Sequence, residues 1–145
     1  MNDKLTAYRT AATLGKSQLD LIIQVYDGAI GAFKAAATSY QNDNSRAGYE
    51  QLQKARRFVT HLYTTLNIET GGEIARNLGR LYGFVLNQTS VAEATKDLSV
   101  IDDNISILKN LRHGWMELRD REKGSTPNPM LQQTPAVTDK LTKLV

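Results

Sequence analysis

The chain contains no cysteine. That excludes disulfide staples, thiolate nucleophiles and cysteine-held zinc, and it agrees with a reducing compartment. Proline is almost missing: Pro127, Pro129 and Pro135 are the only three, all within the last 19 residues. Residues 1–126 therefore hold no helix breaker of that strength. No apolar run approaches the ~20 residues of a membrane span. The opening MNDKLTAYRT lacks the apolar core of a signal peptide. These absences predict no membrane insertion and no secretory signal.

Catalytic and metal-binding patterns are also missing. His61 and His113 are the only histidines, and neither follows a Glu at E-x-x-H spacing. H-E-x-x-H, G-x-S-x-G, G-x-x-x-x-G-K-[ST] and G-x-G-x-x-G do not occur. The expectation is no enzyme, no metal and no cofactor, with both histidines on helix flanks. Gly71-Gly72 reads as the approach to a helix cap rather than a phosphate cradle. Asp102 and Asp103 are adjacent, so on a helix they point about 100° apart and form no facing dyad. A large excess of one charge is missing too: 18 basic against 15 acidic residues leave +3. The basic residues are scattered, with Arg56-Arg57 and nearby Lys54 as the one cluster, which reads as a solvated helix face and not a nucleic-acid footprint.

What the chain does have is helical periodicity. With 145 residues it favours one domain, and 41% apolar with 23% charged residues is ordinary for a globular protein. The segment 17–37, SQLDLIIQVYDGAIGAFKAAA, carries one full stripe of Leu19, Ile22, Ile23, Tyr26, Ile30, Phe33 and Ala37. A second stripe runs beside it: Leu21, Val25, Gly28, Ala29, Ala32 and Ala36. Together they cover roughly 220° of the helix, where packing on one side of a bundle needs about 100°. The surplus calls for a cover, from this chain or from another protein.

Four helices are predicted. The first starts at Ser17, with S-x-x-D capping spacing to Asp20, and runs to about Tyr40 before the turn-rich QNDNS. The second spans roughly 45–66 on a stripe of Tyr49, Leu52, Ala55, Val59, Leu62, Tyr63 and Leu66. The third opens with a capping box at Thr70-Gly-Gly-Glu73 and carries Ile74, Leu78, Leu81 and Val85. It either restarts at Ser90/Glu93 or continues to a turn near 95–97. The last carries Ile101, Ile105, Leu108, Leu111, Trp115 and Leu118 and ends near Arg121, with Arg119, Arg121 and Lys123 suited to the negative end of its dipole. The expected fold is all-α, an antiparallel up-down four-helix bundle over 17–121. A short N-terminal cap or flexible segment (1–16) precedes it, and a flexible, disordered C-terminal tail (122–145) follows. Gly28, Gly31, Gly79 and Gly83 lie inside predicted helices, each costing about 1 kcal/mol against Ala. Close helix packing or a groove for another chain would offset that cost.

Three patches resemble a known family. Tyr8 is followed by Tyr26 inside LIIQVYDGAI (21–30), similar to L-x-x-x-L-Y-D-G-A-I. GGEIARNLGRLYGF (71–84) resembles G-G-E-I-A-x-N-L-x-x-L-Y-x-Y, and Leu111-Arg112-His113-Gly114-Trp115 resembles L-R-x-x-W. Their order and spacing over roughly 8–120 resemble the flagellin export chaperone (FliS) family. Departures are Gln18 in place of a proline, Val25 in place of Leu or Met, and a tail after Arg121 with no matching pattern.

The resemblance implies a cytosolic, non-enzymatic four-helix bundle. Its client would be the disordered C-terminal segment of flagellin, kept from premature polymerisation and delivered to a component of the flagellar type III export gate. It also implies that the N-terminal segment, with Tyr8, covers part of the binding surface, and it favours the continuous third helix. The expected partner-binding residues are Tyr8, Leu21, Val25, Tyr26, Gly28, Ala29, Ala32, Ala36, Val100 and Ile107. The rival reading gives the surplus apolar face to homodimerisation or another protein contact.

Overall fold

The computed structural model describes residues 18–123, which fold into four helices: α1 (Gln18–Gln41), α2 (Ser45–Thr64), α3 (Ile68–Thr95) and α4 (Leu98–Lys123). Among the described residues there is no strand. The expected cap Ser17 lies outside them. Helix α1 packs most extensively on α2 and α4, while α3 closes the ring against α2 and α4. Cross-helix pairs fix the directions. Asp20 meets Arg119 and Asp27 meets Arg112, so α4 runs antiparallel to α1. Arg56 meets Glu93, and Leu66 approaches Gly79, so α3 runs antiparallel to α2. This is the up-down bundle expected from the short connections.

Each connection has a local cause. Asp43 adopts a left-handed φ of 57°, and Asn44 caps α2 by accepting the Ala47 N–H at 3.1 Å. After α2, Thr65 turns the chain back by donating its N–H to the His61 carbonyl at 3.1 Å. At the end of α3, Lys96 takes the left-handed conformation (φ 57°) and closes on the Ala92 carbonyl at 2.7 Å. Helix α3 therefore continues through Ser90 and Glu93 without a restart. Asp97 then begins α4: its carboxylate accepts both the backbone N–H and the hydroxyl of Ser99, at 2.9 and 2.7 Å. Those bonds hold its carboxyl below the usual range.

Several expectations are corrected. Helix α3 begins at Ile68, and its cap is Asn67, which accepts the Thr70 N–H at 3.2 Å. Asn67 rather than Thr70 caps this first turn, while the long run of α3 starts after Gly72, at the Glu73 end of the expected box. Gly72 interrupts the first turns with φ 58°, ψ −132°, a conformation open to glycine and strained for other residues. Helix α2 ends at Thr64, two residues early, and Tyr49 and Tyr63 of its expected stripe are exposed. Gly48 is buried in their stead, because the Tyr40 ring lies where its Cβ would be. On α3 the buried row is Ala75, Leu78, Tyr82, Val85, Thr89 and Ala92, so Leu81 faces outward. On α4 the core includes Asn104, whose amide donates to the Val85 carbonyl at 3.2 Å and Thr89 Oγ1 at 3.3 Å. Helix α4 runs two residues past its expected end at Arg121.

Candidate binding surface

The three sequence patches converge at one point in the core. Tyr26 of α1 and Tyr82 of α3 share a hydrogen bond of 2.5 Å between their phenolic oxygens. Trp115 of α4 donates its indole N–H to the Tyr26 oxygen at 3.0 Å. All three rings are buried. Burial is the main reason the Tyr26 hydroxyl is pushed up to about 12, against hydrogen bonds from Tyr82 and Trp115 that pull it down. Burial also pushes Tyr82 up, reinforced by its neighbour Tyr26. Beside Tyr26 and one turn before Trp115, Asp27 and Arg112 pair at 2.5 Å on the α1/α4 surface. Tyr26, expected at a partner surface, is thus a core residue with no exposed area.

The second stripe of α1 divides into two parts. Ala29, Ala32 and Ala36 are buried by the bundle itself and present no surface. Their small side chains, with Gly28, let α2 come close. A Cβ on Gly28 would stand 2.6 Å from the Phe58 ring, so this glycine is explained by packing within the chain. A Cβ on Gly31 or Gly83 would meet nothing within 4 Å, so packing gives no reason for glycine at either position.

The first part of the stripe stays open. Leu21 is 44% exposed and Val25 is half-buried. Two depressions flank them along the α1/α2 seam. One, of about 240 Å³, is lined by Gln18, Leu21, Ile22, Val25, His61 and Thr65. The other, of about 450 Å³, is lined by Val25, Lys54, Arg57, Phe58 and His61. Val25 borders both, so they form one groove. Sequence periodicity identifies the α1 wall but not the α2 wall, because Phe58 and His61 fall off the α2 core stripe.

A second apolar strip crosses α3 and α4. Val100 and Ile107 are half-buried against the core, as is Leu111. At helical spacing they share the face of Asn104, which bonds to α3. Leu81, Phe84 and Val91 lie exposed on one face of α3, turned away from the α2-facing edge that Gly79 and Glu93 define. Tyr8 lies outside the described residues. Among the described residues no cluster of His, Asp and Glu could hold a metal ion, and no helix is long and apolar enough to cross a membrane.

The described residues thus form an all-α four-helix bundle with a groove along one seam. The model of the family described as flagellar protein FliS matches residues 1–122, and the chain belongs to that family. It is 30% identical over 122 residues to the flagellar secretion chaperone FliS of Vibrio cholerae serotype O1, covering 81% of this chain and 90% of that protein. It is 29% identical over 109 residues to the flagellar secretion chaperone FliS of Salmonella typhimurium, covering 74% of this chain and 81% of the relative. The corresponding protein of Escherichia coli is 25% identical over 108 residues, with 74% and 79% covered.

Proposed function

We propose that this chain is a cytoplasmic, non-enzymatic export chaperone that binds the disordered C-terminal segment of flagellin. By occupying that segment it prevents premature polymerisation, and it helps deliver the subunit to a component of the flagellar type III export gate. The observation that carries the reading is the α1/α2 groove, where Leu21 is exposed and Val25 only half-buried while Leu19, Ile22, Ile23 and Ile30 of the same helix are buried. A preformed apolar groove suits an amphipathic segment that is unfolded on its own. The α3/α4 strip with Val100 and Ile107 extends the area available. That extent matters, because ordering a disordered client costs about 2–5 kcal/mol of the gross interaction energy. Gly28, Ala29, Ala32 and Ala36 support the groove from beneath by letting α1 and α2 approach closely.

Calorimetry with the C-terminal fragment of flagellin from the same organism tests this reading. Binding with a negative heat-capacity change, the mark of apolar burial, is expected. Absence of binding to every flagellin of that organism rejects it.

The rival is self-association through the same face, favoured by the exposure of Leu21. Light scattering across a concentration series separates the two.

A further inference from the structure

We propose that the α1/α2 groove selects an amphipathic helix bearing acidic side chains beside its apolar anchors, with Lys54, Arg57 and His61 as the recognition residues. The proposal rests on the chaperone reading and supplies the chemistry of the client segment that enters this groove.

The argument starts from where the acids of α1 go. Helix α1 has two, Asp20 and Asp27. Asp20 pairs with Arg119 at 3.1 Å, and Asp27 pairs with Arg112 at 2.5 Å, both on α4. Both carboxylates are therefore drawn to the seam opposite the groove. Helix α2 has a single acid, Glu50, which pairs with Arg46 near the other end of that helix. Among the described residues, no acidic side chain lines either depression of the groove.

The bases of α2 divide the other way. Arg56 turns to α3 and meets Glu93 at 2.7 Å. Its neighbour Arg57, about 100° around the helix, turns to the groove with Lys54 and His61. Neither Lys54 nor Arg57 has an ion-pair partner among the described residues, and both are exposed. Lys54, Arg57 and His61 stand at i, i+3 and i+7, one straight row along α2. Phe58 and Val25 make the apolar floor beside that row. The row is about 10 Å long at 1.5 Å per residue, or two helical turns. Carboxylates at the same spacing on a client helix would face it turn for turn, while the client's apolar anchors met Val25, Leu21 and Phe58. The basic rim adds attraction at long range and rejects a basic helix of equal apolarity.

The test uses the full chain and two labelled synthetic peptides of about three helical turns with identical leucine anchors. One carries Glu beside the anchors, and the other carries Lys at those positions. Anisotropy at low salt is expected to show the Glu peptide binding at least ten-fold tighter. That gap should shrink toward 1 M salt, where the screening length is about 3 Å. The double variant Lys54→Glu/Arg57→Glu should reverse the preference while leaving the melting curve unchanged. Equal affinities for the two peptides, or a preference that survives the reversal, overturn the proposal. The flagellin C-terminal fragment provides the second arm and should bind the double variant at least ten-fold more weakly. If it binds both proteins equally, the groove assignment falls and the chaperone reading stands. If it binds neither while the Glu peptide keeps its preference, the chaperone reading falls and the groove chemistry stands. Dimerisation of the chain that the double variant abolishes gives the groove to a second copy, and the proposal fails.

Discussion

Tyr26 and Tyr82, 56 residues apart in sequence, share a 2.5 Å hydrogen bond that joins α1 to α3 through the middle of the bundle. Because Trp115 can only donate, the Tyr26 oxygen serves as acceptor for α4 as well. One phenol therefore ties three helices together. The residues that make the sequence recognisable are, at this point, residues that hold the bundle's geometry.

Tyr26→Phe leaves the Trp115 N–H buried without an acceptor and removes the partner of Tyr82. A loss of about 2 kcal/mol in urea unfolding is expected. Tyr82→Phe keeps the Trp115 bond and should cost about 1 kcal/mol. The double variant should cost less than the sum, because the two hydroxyls share one bond. Full additivity would show that the network contributes nothing as a unit.

Alkaline pH should act through the same pair. Both hydroxyls titrate above their unfolded value of 10.0, Tyr26 at about 12. Below pH 10 both folded and unfolded forms hold these protons, so the contribution is fully present. Above pH 10 the unfolded chain releases them first, and stability falls as pH climbs toward 12. Phenolate absorbance should show Tyr26 and Tyr82 ionising only as helicity is lost. Their titration within an intact bundle would contradict the burial described.

The glycines separate into distinct cases. Gly31→Ala has open space around its new methyl and should stabilise by up to about 1 kcal/mol. Gly72→Ala forces a side chain into φ 58°, ψ −132° and should cost about 1–3 kcal/mol. Gly28→Ala pushes the Phe58 ring aside, since its Cβ would stand 2.6 Å away. Because only the far end of that side chain must move, the expected readout is altered groove affinity with little change in stability. Thermal melts and peptide titration check all three.

Much of the fold is legible in the sequence because the chain up to residue 123 punctuates its helices with caps and turns. The α1 stripe and the QNDNS turn sit where periodicity and turn residues place them, whereas the αL stop at Lys96 settles a choice that residue spacing leaves open between a restart at Ser90/Glu93 and a turn near 95–97. The start of α3 is half legible: the Gly-Gly pair marks the break at Gly72 before the long run, but the extra turn that Asn67 caps leaves no such mark. The α3 core row escapes a reading that follows bulk over position. Leu81 is larger than Ala75 or Thr89, yet those small residues face the tight centre. Buried polar residues such as Asn104 leave no mark in hydrophobic spacing. The groove is half legible. Surplus apolarity on α1 signals an open flank, but which part α2 covers depends on Phe58 meeting Gly28, a contact that periodicity does not encode.

Val25→Glu tests the central claim most directly, because Val25 borders both depressions of the groove. The measurement is the affinity of this variant for the flagellin C-terminal fragment, with helicity and melting recorded on the same sample. The account predicts binding at least ten-fold weaker, about 1.4 kcal/mol, with the bundle still folded. Unchanged affinity in a folded variant would contradict it.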